Sequence, residues 1–205
     1  MQNQNSVKLN LGYGANKISG FINIDSVKEF NPDLIHDISQ PLPYLDCSVD
    51  EILADGLLEH FDKYARCIVF YEWARVLKVG GTVNVSVPNM KKLLFRYFKF
   101  GFDKFVDTLF GENMLGSETY IGHFGNHKWG YSKESLEAFV KMFGIEPMKV
   151  EQNGLVLRLI GRKTKHVTRD QIDILEIYSS ANDCGVGKAK ISLREAREKM
   201  AIFHG

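Results

Sequence analysis

Residues 8–25 read KLNLGYGANKISGFINID, and they consist of two short apolar segments joined by a loop that contains Gly12, Gly14 and Gly20. The second apolar segment ends at Asp25. Glycines after a first strand let the backbone approach a ligand that a Cβ would exclude, and a carboxylate after the second strand can accept both hydroxyls of a ribose. The stretch therefore favours a nucleoside site, although glycine pairs also form ordinary tight turns.

The spacing within this loop argues against a dinucleotide site. That fingerprint needs a third glycine three residues after the second, at the start of a full helix, with the acid about 20 residues downstream. Here Lys17 holds the third position, and only twelve residues separate Gly12 from Asp25. A P-loop is also absent from the sequence, because no Gly-Lys-Ser/Thr follows the glycines.

Composition narrows the class of protein. The chain has 205 residues, 44% of them apolar and 25% charged, which predicts one globular domain with a core and room for a terminal extension. Lys and Arg number 26 against 25 acidic residues, so charge does not argue for nucleic acid. The cysteines and histidines lack zinc-ligand spacing, so we expect no metal, no disulfide framework and a cytoplasmic setting. Neither a signal segment nor a run of about 18 apolar residues is present, so we expect no membrane association.

The apolar pattern predicts a mostly parallel sheet that ends in an antiparallel hairpin. A helix over Lys63–Leu77 lies between the fourth and fifth strands, which implies a right-handed parallel crossover. Ser132 caps a later helix through Phe143, and Asn153-Gly154 joins two antiparallel strands. The first five strands are expected at Val7–Leu11, Phe21–Ile24, Asp33–Ile38, Glu51–Ala54 and in the segment that begins at Gly80-Gly81.

Four blocks of sequence carry a family resemblance: LNLGYG (9–14), GFINID (20–25), DLIHDISQPLPYLDCSVDEILADGLLEHF (33–61) and FYEWARVLKVGGTVNVSVPN (70–89). In this order they resemble the class I S-adenosylmethionine-dependent methyltransferases, specifically the small type-11-like group. The resemblance implies an α/β fold with a doubly wound, Rossmann-like, seven-stranded and mostly parallel sheet that has an antiparallel C-terminal hairpin. It also implies S-adenosylmethionine as the cofactor and S-adenosylhomocysteine as its product.

The resemblance also assigns cofactor contacts to positions in this chain. The glycines would face the methionine part, Asp25 the ribose, Asp37 and Ile38 the adenine, and residues 55–57 the sulfonium. Two of these carboxylates have ordinary alternatives, since Asp25 could cap the following turn and Asp37 could simply be solvated. The implied contacts are, in chain order, Gly12, Tyr13, Gly14, Asp25, Asp37, Ile38, Asp55, Gly56 and Leu57.

Two histidines are the candidate catalytic residues. His127 lies in HFGNHKWGYS (123–132), where it could take a proton from an acceptor hydroxyl, or where the segment could be an aromatic loop that seats the next helix. His60 follows Glu59 and is at least as well explained as a histidine of a turn. Residues 91–131 are predicted to form a lid or acceptor region. Its aromatic residues are expected to pack in the core or the lid rather than stack on bases: Phe95, Tyr97, Phe98, Phe100 and Phe102.

We therefore expect a methyltransferase domain over residues 1–163 and a helical C-terminal extension over 164–205. The expected reaction is O- or N-methylation of a small-molecule or saccharide-like acceptor, and the alternative is a catalytically silent domain that binds partners through its tail. Capping patterns at Thr168 and Ser192 predict two tail helices with apolar stripes. These stripes either cover their own domain or form a homodimer, and we expect the homodimer.

Overall fold

A seven-stranded sheet forms the centre of the protein. The computed structural model describes residues 6–102, 105, 106, 109 and 126–166. The strands are β1 (Lys8–Leu11), β2 (Ile22–Asp25), β3 (Leu34–Ile35), β4 (Val49–Asp55), β5 (Leu77–Pro88), β6 (Ile145–Asn153) and β7 (Val156–Lys163). Their order is β3-β2-β1-β4-β5-β7-β6, and only β7 runs antiparallel to its neighbours β5 and β6. The predicted α/β fold class and the antiparallel C-terminal hairpin are confirmed.

In the described part of the chain, the helices with defined bounds are α1 (Ala65–Val76), α2 (Met90–Phe100) and α3 (Lys133–Met142). Two short 3₁₀ turns, η1 (Lys28–Phe30) and η2 (Leu58–His60), follow β2 and β4. The predicted start of α3 is confirmed, because Ser135 N donates to Ser132 Oγ at 3.2 Å and Ser132 N donates to Ser135 Oγ at 2.9 Å. Among the described residues, no helix is long and apolar enough to cross a membrane. The predicted tail helices and their homodimer lie outside the described residues.

Two strands differ from their predicted bounds. β3 has two residues rather than the predicted six, because the chain turns at Asp37, whose side chain accepts from Ser39 N and whose carbonyl accepts from Gln40 N, each at 2.9 Å. β5 begins before the predicted glycine pair, and the pairing register with β4 shifts beside it. A Cβ at Gly81 would lie 2.9 Å from Asp50 O, so this irregular stretch needs a glycine.

One face of the sheet is apolar and carries the core. Alternate residues of the central strands point to it, and α1 and α3 join the same cluster of buried side chains. Phe70 of α1 lies 5.1 Å, ring centre to ring centre, from both Phe139 and Phe143. Each such buried side chain contributes roughly 1.5–3 kcal/mol to folding. The strand residues of this face are Leu9, Leu11, Ile52, Ala54, Val83, Val85, Leu157 and Leu159.

A buried lysine joins the last strand to the core helix. Lys163 is 1% exposed, and its Nζ donates to Ala74 O and Leu77 O, each at 2.7 Å. These carbonyls lie in the last turn of α1 and at Leu77 directly after it, where backbone oxygens lack helical partners and a positive charge is favourable. The C-terminal end of the hairpin is thereby tied to the crossover between β4 and β5.

The aromatic residues of α2 contradict part of their prediction. Phe95 and Phe98 are exposed, and so is Phe102 just beyond the helix, so core packing is wrong for these three. Tyr97 is also exposed, and its ring contacts those of Phe98 and Phe102 at 5.1 and 6.4 Å between centres. These rings therefore contact one another on the surface of the protein.

Candidate cofactor and acceptor site

The glycine loop passes close to β4. Gly12 and Gly14 both have φ of +56°, a conformation that L side chains rarely adopt. A Cβ at Gly12 would lie 2.5 Å from Leu57 Cδ1, whereas the space beside Gly14 contains no atom within 4 Å. The structure thus brings together Gly12 and Leu57, and it leaves room for a ligand against the backbone at Gly14.

Asp25 holds this loop to the end of β2. Its side chain is buried, and Gly14 N donates to Oδ2 at 3.0 Å while Val27 N donates to Oδ1 at 2.9 Å. The second bond is the turn-capping role that the sequence left open. A carboxylate offers about four acceptor positions, so these two bonds leave capacity for ribose hydroxyls.

Asp37 and Ile38 follow the end of β3, the strand next to β2. Asp37 is exposed and accepts a hydrogen bond from Ser39 N at 2.9 Å, while Ile38 is buried. The bond of 3.0 Å from His36 N to Asp25 O places this segment next to the glycine loop. The predicted adenine contacts therefore lie beside the predicted ribose contact, and Asp37 is also solvated, as its alternative proposed.

Residues 55–57 lie where β4 ends. Asp55 is exposed, accepts a hydrogen bond from Ser86 Oγ, and lies 3.6 Å from the Arg158 guanidinium. Gly56 has φ of +63°, and its N–H donates to Ser86 O at 3.0 Å. Asp55 is thus tied to β5 and β7, and the part of this segment that reaches the glycine loop is the Leu57 side chain.

Tyr13 has a structural role that the sequence did not indicate. Its side chain is 5% exposed, and its hydroxyl donates to Phe30 O at 2.6 Å, so it fixes η1 rather than facing the open side of the loop. Asn10 Nδ2 donates to Asn23 Oδ1 at 2.9 Å and to Asn16 O at 3.2 Å. This buried pair of asparagines supports the loop between β1 and β2, which has no helix.

The two candidate catalytic histidines meet above the end of β4. Glu59 O accepts hydrogen bonds from Lys128 N at 2.8 Å and from Trp129 N at 3.0 Å, which fastens residues 126–131 to η2. The rings of His60 and His127 are 5.2 Å apart, centre to centre. His60 Nδ1 lies 3.2 Å from Asn126 O, and since a carbonyl only accepts, Nδ1 carries the proton and Nε2 keeps its lone pair in the neutral ring.

Glu59 is a residue of this site that sequence reasoning missed. Its side chain is 3% exposed, and in the described part of the chain Oε2 has no hydrogen-bond partner. Burial raises the pKa of Glu59 to about 8, and burial also lowers the pKa of His60. Near neutral pH both groups are therefore biased toward their uncharged forms. The sequence signal was the pair Glu59-His60 itself, which gave no hint of the distant His127.

A buried arginine contacts residues 126–131 from the side of α1. Arg66 of α1 is 8% exposed, and its guanidinium carbon lies 4.1 Å from the ring centre of Trp129 and 4.7 Å from that of Phe139. Met90 N also donates to Tyr131 O at 2.9 Å. Cation–π contacts of this kind contribute roughly 0.5–2 kcal/mol each. The segment that carries His127 is therefore fixed to α1, η2 and the start of α2.

Comparisons with known proteins identify the fold. No family model matches the sequence, and no curated protein is significantly similar to it. Among solved structures, an S-adenosylmethionine-dependent methyltransferase from Clostridium acetobutylicum is 14% identical with a TM-score of 0.55, over 78% of this chain and 85% of that chain. One from Methanosarcina mazei is 19% identical with a TM-score of 0.54, over 78% and 93%.

A third solved structure contains ligands. The 1,6-didemethyltoxoflavin-N1-methyltransferase of Burkholderia thailandensis, with bound 1,6-didemethyltoxoflavin and S-adenosylhomocysteine, is 14% identical with a TM-score of 0.53 over 78% of this chain and 72% of that chain. Identities this low establish the fold alone. The chain therefore has the fold of the class I S-adenosylmethionine-dependent methyltransferases.

Proposed function

We propose that this protein is an S-adenosylmethionine-dependent methyltransferase that acts on a small-molecule or saccharide-like acceptor. The observation that carries the proposal is the bond from Gly14 N to the Asp25 carboxylate, which joins the glycine loop to the acid at the end of β2. In open α/β sheets, ligands bind outside the carboxyl ends of the strands, and both groups lie there.

The residues at this edge fit the proposed cofactor. The backbone at Gly12 and Gly14 would lie against the methionine part, and the unused lone pairs of Asp25 would accept the ribose hydroxyls. Asp37 and the buried Ile38 would bind the adenine. When bound, S-adenosylmethionine supplies an electrophilic methyl group, and S-adenosylhomocysteine is its product.

His60 and His127 would act on the acceptor. Burial lowers the pKa of His60 and so favours its neutral imidazole, and with Nδ1–H on the Asn126 carbonyl, Nε2 would be the nitrogen that takes a proton. A general base contributes typically about 10²- to 10⁴-fold when the acceptor is a hydroxyl. An amine that is already neutral needs less help before attack, so the importance of these histidines distinguishes O- from N-methylation.

The acceptor class rests on size and charge. Basic and acidic residues nearly balance, which gives no general attraction to a nucleic acid backbone. The Burkholderia thailandensis neighbour binds a small molecule, 1,6-didemethyltoxoflavin. Trp129, two residues after His127, is half-buried, and the exposed part of its ring would suit a planar molecule or the apolar face of a sugar.

Transfer of a labelled methyl group tests this proposal. The full chain is incubated with methyl-labelled S-adenosylmethionine and panels of hydroxyl- and amine-bearing small molecules and saccharides, and products are detected by mass spectrometry. We expect one panel to gain the label with an equal amount of S-adenosylhomocysteine, and His127→Ala to slow transfer to a hydroxyl about 100-fold. Binding of the cofactor without transfer to any panel would instead favour the silent binding domain.

A further inference from the structure

We propose that Glu59, His60 and His127 form a binding site for a first-row divalent transition metal ion or zinc. The absence of zinc-ligand spacing in the sequence argued against a metal, because His60 and His127 lie far apart in the chain. The fold brings them together, and one potential ligand atom from each of the three residues lies within 4.8 Å of the others. This inference concerns ion binding and does not depend on methyl transfer.

The buried carboxylate is the strongest reason for a ligand here. Glu59 Oε2 is inaccessible to solvent and has no hydrogen-bond partner among the described residues. A buried polar atom without a partner is costly, and native structures usually satisfy such atoms. A cation between Glu59 and the two imidazoles would satisfy this oxygen and would stabilise its ionised form.

The backbone holds one ring nitrogen of His60. Its Nδ1–H donates to the Asn126 carbonyl at 3.2 Å, so Nε2 is the nitrogen that would bind an ion. Histidines that ligate metals almost always donate their other ring N–H to a carbonyl, carboxylate or water, which fixes the tautomer. The same backbone segment carries His127, so one short stretch both orients the first imidazole and supplies the second.

The distances require a small contraction when the ion binds. Tetrahedral sites with metal–ligand bonds of about 2.0–2.1 Å place neighbouring ligand atoms roughly 3.3 Å apart. Ion binding would therefore draw the three ligand atoms together by up to about 1.5 Å from the present limit of 4.8 Å. Nearby charges balance, since exposed Asp55 is negative and exposed Lys128 is positive, while the Arg66 charge faces Trp129, Tyr131 and Phe139.

The ligand set also selects the kind of ion. Two imidazoles and one carboxylate suit zinc, cobalt, iron or manganese, whereas magnesium and calcium prefer sites built from oxygen. Three protein ligands leave at least one position open. If the proposed methyl transfer also holds, an acceptor oxygen at that position would lose its proton more easily, and the imidazoles would be ligands rather than bases.

Cobalt(II) is the probe for this site, because its visible absorption reports coordination directly. The full chain, first treated with a chelator, is titrated with cobalt chloride without S-adenosylmethionine, and zinc chloride is then added as competitor. We expect one equivalent of cobalt to give visible bands of a low-coordinate site, zinc to abolish them, and a tenfold excess of magnesium to leave them unchanged.

Three variants locate the ion. Glu59→Gln keeps the side-chain shape, and we expect it to weaken cobalt binding at least tenfold, as should His127→Ala. His166→Ala changes a described histidine outside the cluster, and this variant should still bind one equivalent of cobalt with the affinity of the wild type. Circular dichroism checks that each variant folds. If Glu59→Gln does not fold, the result for His127→Ala decides the test. The proposal is overturned if wild-type protein gives no bands, or if His127→Ala binds cobalt as tightly as wild type.

Because this titration contains no cofactor, failure of methyl transfer leaves its result unchanged. Metal binding without methyl transfer would uphold the inference and reject the proposed function, and methyl transfer without metal binding would do the reverse.

Discussion

At the residue scale, Asp33 supports the glycine loop from outside the site. Its Oδ2 accepts from Asn23 N at 2.9 Å and from Asn23 Nδ2 at 2.7 Å, and its Oδ1 pairs with Lys17 at 2.7 Å. The hydrogen bond with Lys17, followed by those with Asn23, lowers the pKa of Asp33 to about 2 from its ordinary 3.8. The folded state thus favours the ionised carboxylate.

This shift predicts a pH-dependent contribution to stability. Because the folded pKa lies below the unfolded one, the stabilisation is complete above about pH 4 and is lost as the pH falls toward 2. The side chain is 38% exposed, so screening by solvent limits the effect to about 1 kcal/mol. We expect Asp33→Asn to lower the free energy of unfolding by that amount at pH 7 and by much less at pH 2.5.

Urea denaturation at the two pH values measures the difference. Glu29→Gln, which removes an exposed carboxylate of η1, serves as the control and should change stability little at either pH. A deficit of Asp33→Asn that stays constant between pH 7 and pH 2.5 would show that the charge of Asp33 contributes nothing.

At the element scale, Lys163 connects the hairpin to α1. We expect Lys163→Met, which keeps the length of the side chain, to lower the free energy of unfolding by about 2–3 kcal/mol, because two carbonyls at the end of α1 lose their donor. Lys165→Met is the matched control, since Lys165 is exposed two residues later. Thermal or urea unfolding of both variants checks this, and equal stability of the two would contradict the role given to Lys163.

The elements also explain which parts of the fold were predictable. The start of α3 at Ser132 and the turn at Asn153-Gly154, where Gly154 has φ of +57°, are fixed by neighbouring residues, so the sequence predicted both. β3 was predicted too long because its apolar pattern runs on through Ile38, past the turn in which Asp37 accepts from Ser39 N and Gln40 N. The boundary of an element is the least certain part of a sequence pattern.

The same distinction holds for the whole molecule and its site. Gly12, Gly14 and Asp25 lie within one short stretch, and their joint geometry followed from that stretch and the order of the strands. Glu59 and His127 come together because Lys128 and Trp129 bond to the Glu59 carbonyl, a contact between distant parts of the chain. The arrangement of Gly12, Gly14 and Asp25 was therefore predictable, and the carboxylate–histidine cluster was not.

We propose that the carboxyl edge of this sheet binds S-adenosylmethionine through Asp25. Calorimetric titration of the full chain with S-adenosylhomocysteine measures it directly, with Asp25→Ala as the test and Asp25→Asn as a variant that keeps the side-chain shape. Glu29→Ala, beyond the turn that Asp25 caps, is the control. Circular dichroism confirms that each variant is folded.

We expect one equivalent of S-adenosylhomocysteine to bind the wild-type chain and the Glu29→Ala variant alike. Asp25→Ala should weaken binding by about tenfold or more, because hydrogen bonds to a charged group contribute roughly 1.5–3 kcal/mol, and Asp25→Asn should lie between the two. No heat of binding with the wild-type chain, or equal affinity in folded Asp25→Ala and wild type, would contradict the account.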